Sequence, residues 1–367
     1  MRALLEELLR AGVSAVDPET LVADRLQHGP ALPEHSGLVL LAVGKAAAGM
    51  ARGATRVVGT ETRGLVVCLT ATDMPGLDVV VGDHPIPGSG SFDAGRRLMA
   101  AAVDAGPEDL VLVLLSGGAS AMAEVPASGV SEQQIIDATA SLLASGRPIT
   151  EINEQRKVLS ALKGGGLTQA ARPARVVTFA ISDVPAAAPD LIGSGPTTGS
   201  DTFEVLADGS TAAQAVAQAC REAGLEPEML ADPIAGPASS AGRSLGRTSI
   251  RLSEGSALVG FGETTVRVEG TGRGGRNQEL ALAAALEIAG TSALVGSIGS
   301  DGLDGPTKNA GAIVDGSTIA RASVLGLDAA AHLAAHDSAT FLEAVGDVVV
   351  TGPTGTNVGD LMLAIKP

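Results

Sequence analysis

The sequence predicts an α/β protein built as two domains. Three observations carry this. Continuous apolar runs such as Gly37–Val43 and 110–115 read as buried parallel strands. Each breaks into a glycine-containing loop and then a helix pattern, which is the layout of repeated strand–helix units. A length of 367 residues, 45% of them apolar, suits two domains of ordinary size.

Composition narrows the function classes. A net charge of −16 argues against nucleic acid, whose phosphates need cationic surfaces. Trp and Tyr are absent and Phe occurs five times, so stacking platforms are scarce. No apolar run approaches the roughly 18 residues of a membrane span. The opening MRALLEELLR carries acids inside an amphipathic pattern, unlike a signal peptide. Cys68 and Cys220 lie in apolar or Ala-rich surroundings and read as reduced structural thiols, so a cytoplasmic protein is expected. Only five lysines occur, and Lys45, Lys157, Lys163 and Lys308 fall in or beside glycine-rich or polar stretches. In a chain that otherwise uses Arg, such lysines point to compact charges placed on purpose.

In order along the chain, 2–12 and 17–28 read as helices. Gly37–Val43 then ends on Gly44-Lys45-Ala46-Ala47, so a helix start sits beside an ammonium; an exposed lysine after a strand is the plain alternative. This is not a Walker loop, because Val39 and Ala46 stand where that pattern needs Gly and Ser/Thr. Runs 65–70 and 79–82 are further strands. The second leads into Asp83-His84-Pro85, where His84 either binds substrate or caps the turn. Run 110–115 breaks into Ser116-Gly117-Gly118-Ala119-Ser120, which suits a phosphate or carboxylate nest. Over 151–163, a helical period gathers Asn153, Arg156, Lys157, Ser160 and Lys163 on an arc of about 120°. Three cations there with no acid among them favour an anionic ligand, against a merely solvated face. Run 176–181 ends on Ser182-Asp183, the place where open α/β sheets put functional groups. Gly193-Ser194-Gly195 follows in a turn-rich loop. A domain connection is expected around 225–250. His332 and His336, four apart, read as packing or surface residues before a metal pair.

The chain is organised around the stretch from Gly262 to Asp315. Run 264–268 enters a loop in which Gly270, Gly272, Gly274 and Gly275 surround Arg273, and Arg276 opens an apolar helix pattern. Run 292–298 follows and ends at Ser300-Asp301-Gly302-Leu303-Asp304. Glycines let backbone N–H groups approach an anion, and the helix start adds a positive dipole end. The two aspartates could hold Mg²⁺ or orient a hydroxyl.

With these stretches in view, the chain resembles the glycerate 2-kinases of the MOFRL family. The resemblance runs from VGKAA (43–47) through HPIP (84–87), SGGASAM (116–122), N-x-x-R-K-x-L-S-x-x-K-G-G (153–165), SDV with GSGPTT (182–198), GETTV (262–266), GRGGRNQELAL (272–282) and SDGLDGPT (300–307) to TGTNV (354–358). It implies ATP-dependent phosphorylation of D-glycerate at its 2-hydroxyl, with Mg²⁺. It also implies a larger N-terminal Rossmann-like sandwich, 1–240, and a smaller MOFRL domain, 241–367, with the site in the cleft between them. Carried over by motif, Lys45, Arg276 and Asp301 are the expected catalytic set. His84, Ser116, Gly117, Gly118 and Ser120 are expected to bind substrate or phosphate, as are Asn153, Arg156, Lys157 and Lys163. The same holds for Ser194 and Gly195, and for Arg273, Gly274, Gly275 and Asn277. Asp183 and Asp304 are the metal candidates. D-glycerate and ATP are the partners implied, with neither nucleic acid nor membrane, and a homodimer is left open.

Two departures from the family pattern stand out. The Gly-Asp that usually follows SDV is replaced by the run 185–190; if the missing acid helps with metal, either Asp190 substitutes for it or metal affinity suffers. Ala119 replaces the third glycine of the usual SGGGS, putting a methyl where backbone would approach phosphate. The rival readings are a nicotinamide-dependent hydroxypyruvate reductase, a kinase of another small hydroxy acid, and a ligand-binding regulator. Gly270-x-Gly272-x-x-Gly275 formally matches the dinucleotide fingerprint, but Arg276-Asn277-Gln278-Glu279 is bulky where close helix–strand packing wants small residues.

Overall fold

The computed structural model describes residues 1–60, 62–144, 149–184, 192–268 and 270–367, without the side chains of 143, 144 and 149–153. The run 185–190, with Asp190, and the side chain of Asn153 lie outside the described residues. The chain forms two compact units. One comprises Asp17–Ala207 with Gly355–Asn357, the other Met1–Val16 with Asp208–Thr354 and Val358–Pro367.

The Asp17–Ala207 unit is built on a parallel sheet. Its strands are β1 Gly37–Val43, β2 Arg63–Cys68, β3 Asp78–Val81, β4 Asp109–Ser116, β5 Arg175–Ile181 and β6 Thr202–Ala207. They lie in the order β3-β2-β1-β4-β5-β6, each parallel to its neighbour. In register, Leu41 stands between Leu65 and Val113. Val39 to Val43 are all buried, which is why β1 reads as an unbroken apolar run and not an alternating one. The order reverses between β1 and β4. Loops leaving the carboxyl ends of those two strands therefore diverge and open a crevice.

The second unit holds a mixed sheet. Its strands are β7 Glu226–Met229, β8 Ile234–Pro237, β9 Ser256–Thr265, β10 Leu294–Gly299, β11 Gly311–Asp315, β12 Val348–Val349 and β13 Asp360–Lys366. The order is β12-β11-β10-β13-β9-β7, with β8 also pairing β9. β10 and β9 both run antiparallel to β13. The helix Arg276–Ile288 is buried along most of its length against this sheet, its Leu280 to Ala285 all in the core.

Five expectations differ from the structure. The division at 240/241 falls inside the helix Ala238–Arg251; the chain passes between units at 207/208 instead. The N-terminal helix Arg2–Ser14 belongs with the second unit, where Leu5 and Leu9 lie against Gly296 of β10. The connection sought around 225–250 is instead β7, β8 and a helix. EPEM and IAGP are too short to announce a strand by pattern, and they exist because β9 supplies a parallel partner. Of the strand expected at 264–268, only Thr264 and Thr265 are strand, as the end of the longer β9, whose Gly260 and Gly262 interrupt its apolar pattern. Finally, the helix read over 151–163 spans Ile149–Leu159, and Ser160 leaves it to bridge Pro126.

Candidate active site

At the point where the parallel sheet reverses, β1 runs into Gly44-Lys45 and β4 into Gly117-Gly118. One backbone bond joins the two loops, Lys45 N–H donating to Gly117 O at 2.9 Å, while Gly44 N–H donates to Val67 O of β2 at 3.2 Å. Ser116 Oγ accepts the Ala46 N–H at 3.0 Å, so this expected ligand group also helps to join the loops. Gly118 has φ 85°, a left-handed conformation that a side chain resists. A Cβ placed on it would lie 3.2 Å from Lys45 Cγ and 3.3 Å from His84 Cδ2, so both expected side chains stand over this glycine. A Cβ on Gly117 would run into the Asp183 carboxylate and the Asn357 amide. Asn357 Nδ2 donates to Asp183 Oδ2 at 3.1 Å. Asn357 was not picked out as a site residue. The one signal for it was its place in the TGTNV stretch, about 170 residues from its partner.

Further along the β4 loop, Ser120 Oγ and Ser194 Oγ are 2.8 Å apart, and Arg156 Nη2 donates to Ser120 O at 2.8 Å. The structure thus brings three expected residues together. Gly195 O receives the Gly165 N–H at 2.8 Å, joining the turn to the start of the helix Gly166–Ala171. Burial holds the Arg156 guanidinium below its ordinary range, and Glu124 partly offsets this. Lys163 was expected to face a ligand with no acid nearby. It is instead buried in an ion pair with Glu124, which also accepts from Ser160 Oγ. Burial pushes the Lys163 ammonium down to about 8, against the pull of Glu124. Glu124 lies 39 residues before Lys163 and outside the 151–163 arc, so periodicity could not reveal it. Lys157 Nζ meets Glu154 at 2.8 Å near the surface. The Ala119 methyl is also accounted for: it is buried in the core and packs against Gly193, so it leaves the loop backbone clear.

The second unit carries its own polar cluster at the start of the helix Arg276–Ile288. Arg276 Nε and Nη2 donate to the two oxygens of Asp360 at 2.6 and 3.0 Å, and Nη1 pairs with Glu263. Despite burial, these carboxylates hold the guanidinium firmly charged, above its ordinary range. Three of its five N–H donors are engaged in these bonds, which among the described residues leaves two for a ligand. Asp304 is buried and accepts the Asn277 and Gln278 N–H groups at 3.0 and 2.8 Å. The helix end expected to hold an external anion is therefore met by the protein's own carboxylate. Gly275 is required for the same reason, since a Cβ there would run into Asp304. Likewise Gly274 backs onto Ser338, and Arg273 pairs with Glu343 while its N–H donates to Asp337 at 2.9 Å. Asp301, after β10, accepts the Leu303 N–H at 3.1 Å. Its Oδ1 and Asn277 Nδ2 both lie within 4 Å of where a Gly299 side chain would begin. His332 and His336 pair with Asp337 and Glu279, at 3.1 and 2.8 Å, and hold the packing there.

Two family models match this chain: a domain of unknown function (DUF4147) over residues 4–228, and the MOFRL family over 256–360. A D-glycerate 2-kinase of Thermotoga maritima is 34% identical, over 100% of this chain and 98% of its own. The crystal structure of a glycerate kinase from the same organism superposes with a TM-score of 0.90 at 32% identity, covering 100% of this chain and 99% of that one. A protein of Agrobacterium vitis with the provisional name hydroxypyruvate reductase is 33% identical, over 98% of this chain and 93% of its own. The chain belongs to the MOFRL family of glycerate 2-kinases.

For this MOFRL-family chain, the dinucleotide fingerprint at 270–275 loses its physical basis. The loop follows β9 of the mixed sheet, and Asp304 occupies the helix end where a pyrophosphate would bind. Among the described residues no group of three or more His, Cys, Asp or Glu converges as a metal cage. Mg²⁺ does not need one, since it keeps several waters and takes one or two carboxylates together with substrate phosphates. The Asp183 carboxylate, which accepts from Asn357 Nδ2, supplies the hard oxygen that fits this demand, whereas both Asp304 oxygens are committed to helix N–H groups. Among the described residues no helix is long and apolar enough to cross a membrane.

Proposed function

We propose that the protein transfers the γ-phosphoryl group of ATP to the 2-hydroxyl of D-glycerate, giving 2-phosphoglycerate and ADP. The observation that carries this reading is the convergence of Lys45, Gly117-Gly118 and Asp183 at the reversal point of a doubly wound sheet. Phosphoryl transfer asks for charge neutralisation and an in-line hydroxyl more than for covalent chemistry. Lys45 would neutralise the moving group, with the Gly117–Gly118 backbone and His84 beside it. Arg276 would offer its two remaining N–H donors to an anionic oxygen. Asp301 would accept the hydroxyl proton as the new O–P bond forms and the bond to ADP breaks. Asp183, oriented by Asn357, would hold Mg²⁺, which supplies further charge neutralisation on the phosphates. Two buried, unbridged thiols, Cys68 and Cys220, support a reducing cytoplasm as the setting.

The test is ADP release by the purified protein with Mg-ATP and D-glycerate, with the product identified by NMR. Glycerate-dependent ADP and phosphate on the 2-hydroxyl are expected, and Lys45→Ala and Arg276→Ala should each lower kcat at least a hundredfold, on the order of one lost charge contact in the transition state. ADP release only with another hydroxy acid would move the substrate. NADH oxidation with hydroxypyruvate, without ATP turnover, would overturn the reading.

A further inference from the structure

Arg156 is only 8% exposed, yet its guanidinium is poorly compensated. It donates to a neutral carbonyl, Ser120 O, and its buried Nε meets no acceptor among the described residues. Glu124, the carboxylate that acts on it electrostatically, already serves Lys163 and Ser160. A buried cation in this state calls for an anion. Two hydroxyls stand beside it, those of Ser120 and Ser194. Ser194 is 1% exposed and sits at φ 61°, a conformation that glycine adopts without strain and that both of its glycine neighbours share. A serine kept there at a conformational cost points to a use for its hydroxyl.

We propose that Arg156, Ser120 and Ser194 form the seat of the acceptor's carboxylate, and so make the enzyme select a hydroxy acid over a polyol. This rests on the glycerate kinase reading above. One guanidinium fork flanked by hydroxyls matches a planar group of single charge. A nucleotide phosphate carries more charge than this cation balances, and Lys163 is closed off beneath Glu124. Ser120 lies two residues beyond Gly118, in the short helix Ala119–Met122 that this glycine caps, so a carboxylate held here keeps its 2-hydroxyl near the glycine turn at Lys45.

The test compares D-glycerate with glycerol, in which a hydroxymethyl group replaces the carboxylate. Arg156→Lys keeps the charge and loses the fork. It should raise KM for D-glycerate roughly ten- to hundredfold and shrink the preference over glycerol by a similar factor, as for one charged hydrogen-bonding contact. KM for ATP should stay within about twofold. Ser194→Gly suits the backbone, so its melting temperature should hold or rise while KM for D-glycerate climbs several-fold. An increase in KM for ATP alone would make this a phosphate site and overturn the proposal. Unchanged KM for D-glycerate in Ser194→Gly and in any folded Arg156→Lys would make the cluster structural. In either case wild-type turnover of D-glycerate leaves the kinase reading standing; its absence removes both.

Discussion

The Asp304 carboxylate closes the first turn of the helix that carries Asn277, taking the Asn277 N–H at 3.0 Å and its side-chain amide at 3.3 Å. Its other oxygen takes the Gln278 N–H at 2.8 Å. The glycine loop before this helix looks like an anion nest, but the anion is part of the chain. Asp304→Ala would leave two buried N–H groups without acceptors. It should cost about 2 kcal/mol or more, in the range of a lost N-cap with unsatisfied donors. Urea unfolding checks this. A loss within a few tenths would show that the helix end is solvated and open to ligand after all.

The same carboxylate has a pH signature. Burial raises it to about 6, with Asp360 adding to the effect and the two N–H bonds opposing it. The folded chain therefore binds this proton more tightly than the unfolded chain. The resulting stability is fully present below about pH 4 and is lost as pH rises through about 6. Relative to Asp304→Asn, the wild type should lose stability between pH 4 and 6. A difference that is flat with pH over that window would mean the group is ionised without cost.

The Lys163–Glu124 pair makes a separate prediction, because removing one member strands the other. Lys163→Met should cost about 3–5 kcal/mol, the usual cost of an uncompensated buried charge. Glu124→Leu combined with Lys163→Met should restore most of it. Denaturant midpoints of the two single variants and the double variant form the cycle. If the double variant is no more stable than the singles, the pair does more than satisfy itself.

What was legible followed from chemistry close together in the chain. β1, β4 and β5 are buried on both faces, so their apolar runs and the loops that end them could be read directly, and Lys45, Gly117 and Asp183 stand at strand ends where the pattern put them. What was hidden depends on distant partners. The acids that satisfy Lys163 and Arg276, namely Glu124 and Asp360, lie 39 and 84 residues away. The joining of Met1–Val16 to the second unit depends on Leu5 and Leu9 meeting Gly296, a glycine inside a strand whose reason is visible only from the far side. A solvated basic arc and a buried ion pair look alike until the second chain segment arrives.

Gly117 offers the sharpest separation of activity from stability. Its backbone passes so close to Asp183 and Asn357 that a methyl would displace the carboxylate or the amide bonded to it at 3.1 Å. Gly117→Ala should therefore lower kcat on the order of a hundredfold, as misplacement by about 1 Å does, while the core beneath is untouched. Ala119→Gly is the matched control two residues on. Its methyl packs inward against Gly193, so removing it should cost about 1 kcal/mol of stability and leave turnover within about twofold. Steady-state kinetics with thermal melts on both variants decide the matter. If Gly117→Ala turns over normally, Asp183 and Asn357 are not part of the reacting site, and the active centre lies away from the β4 loop.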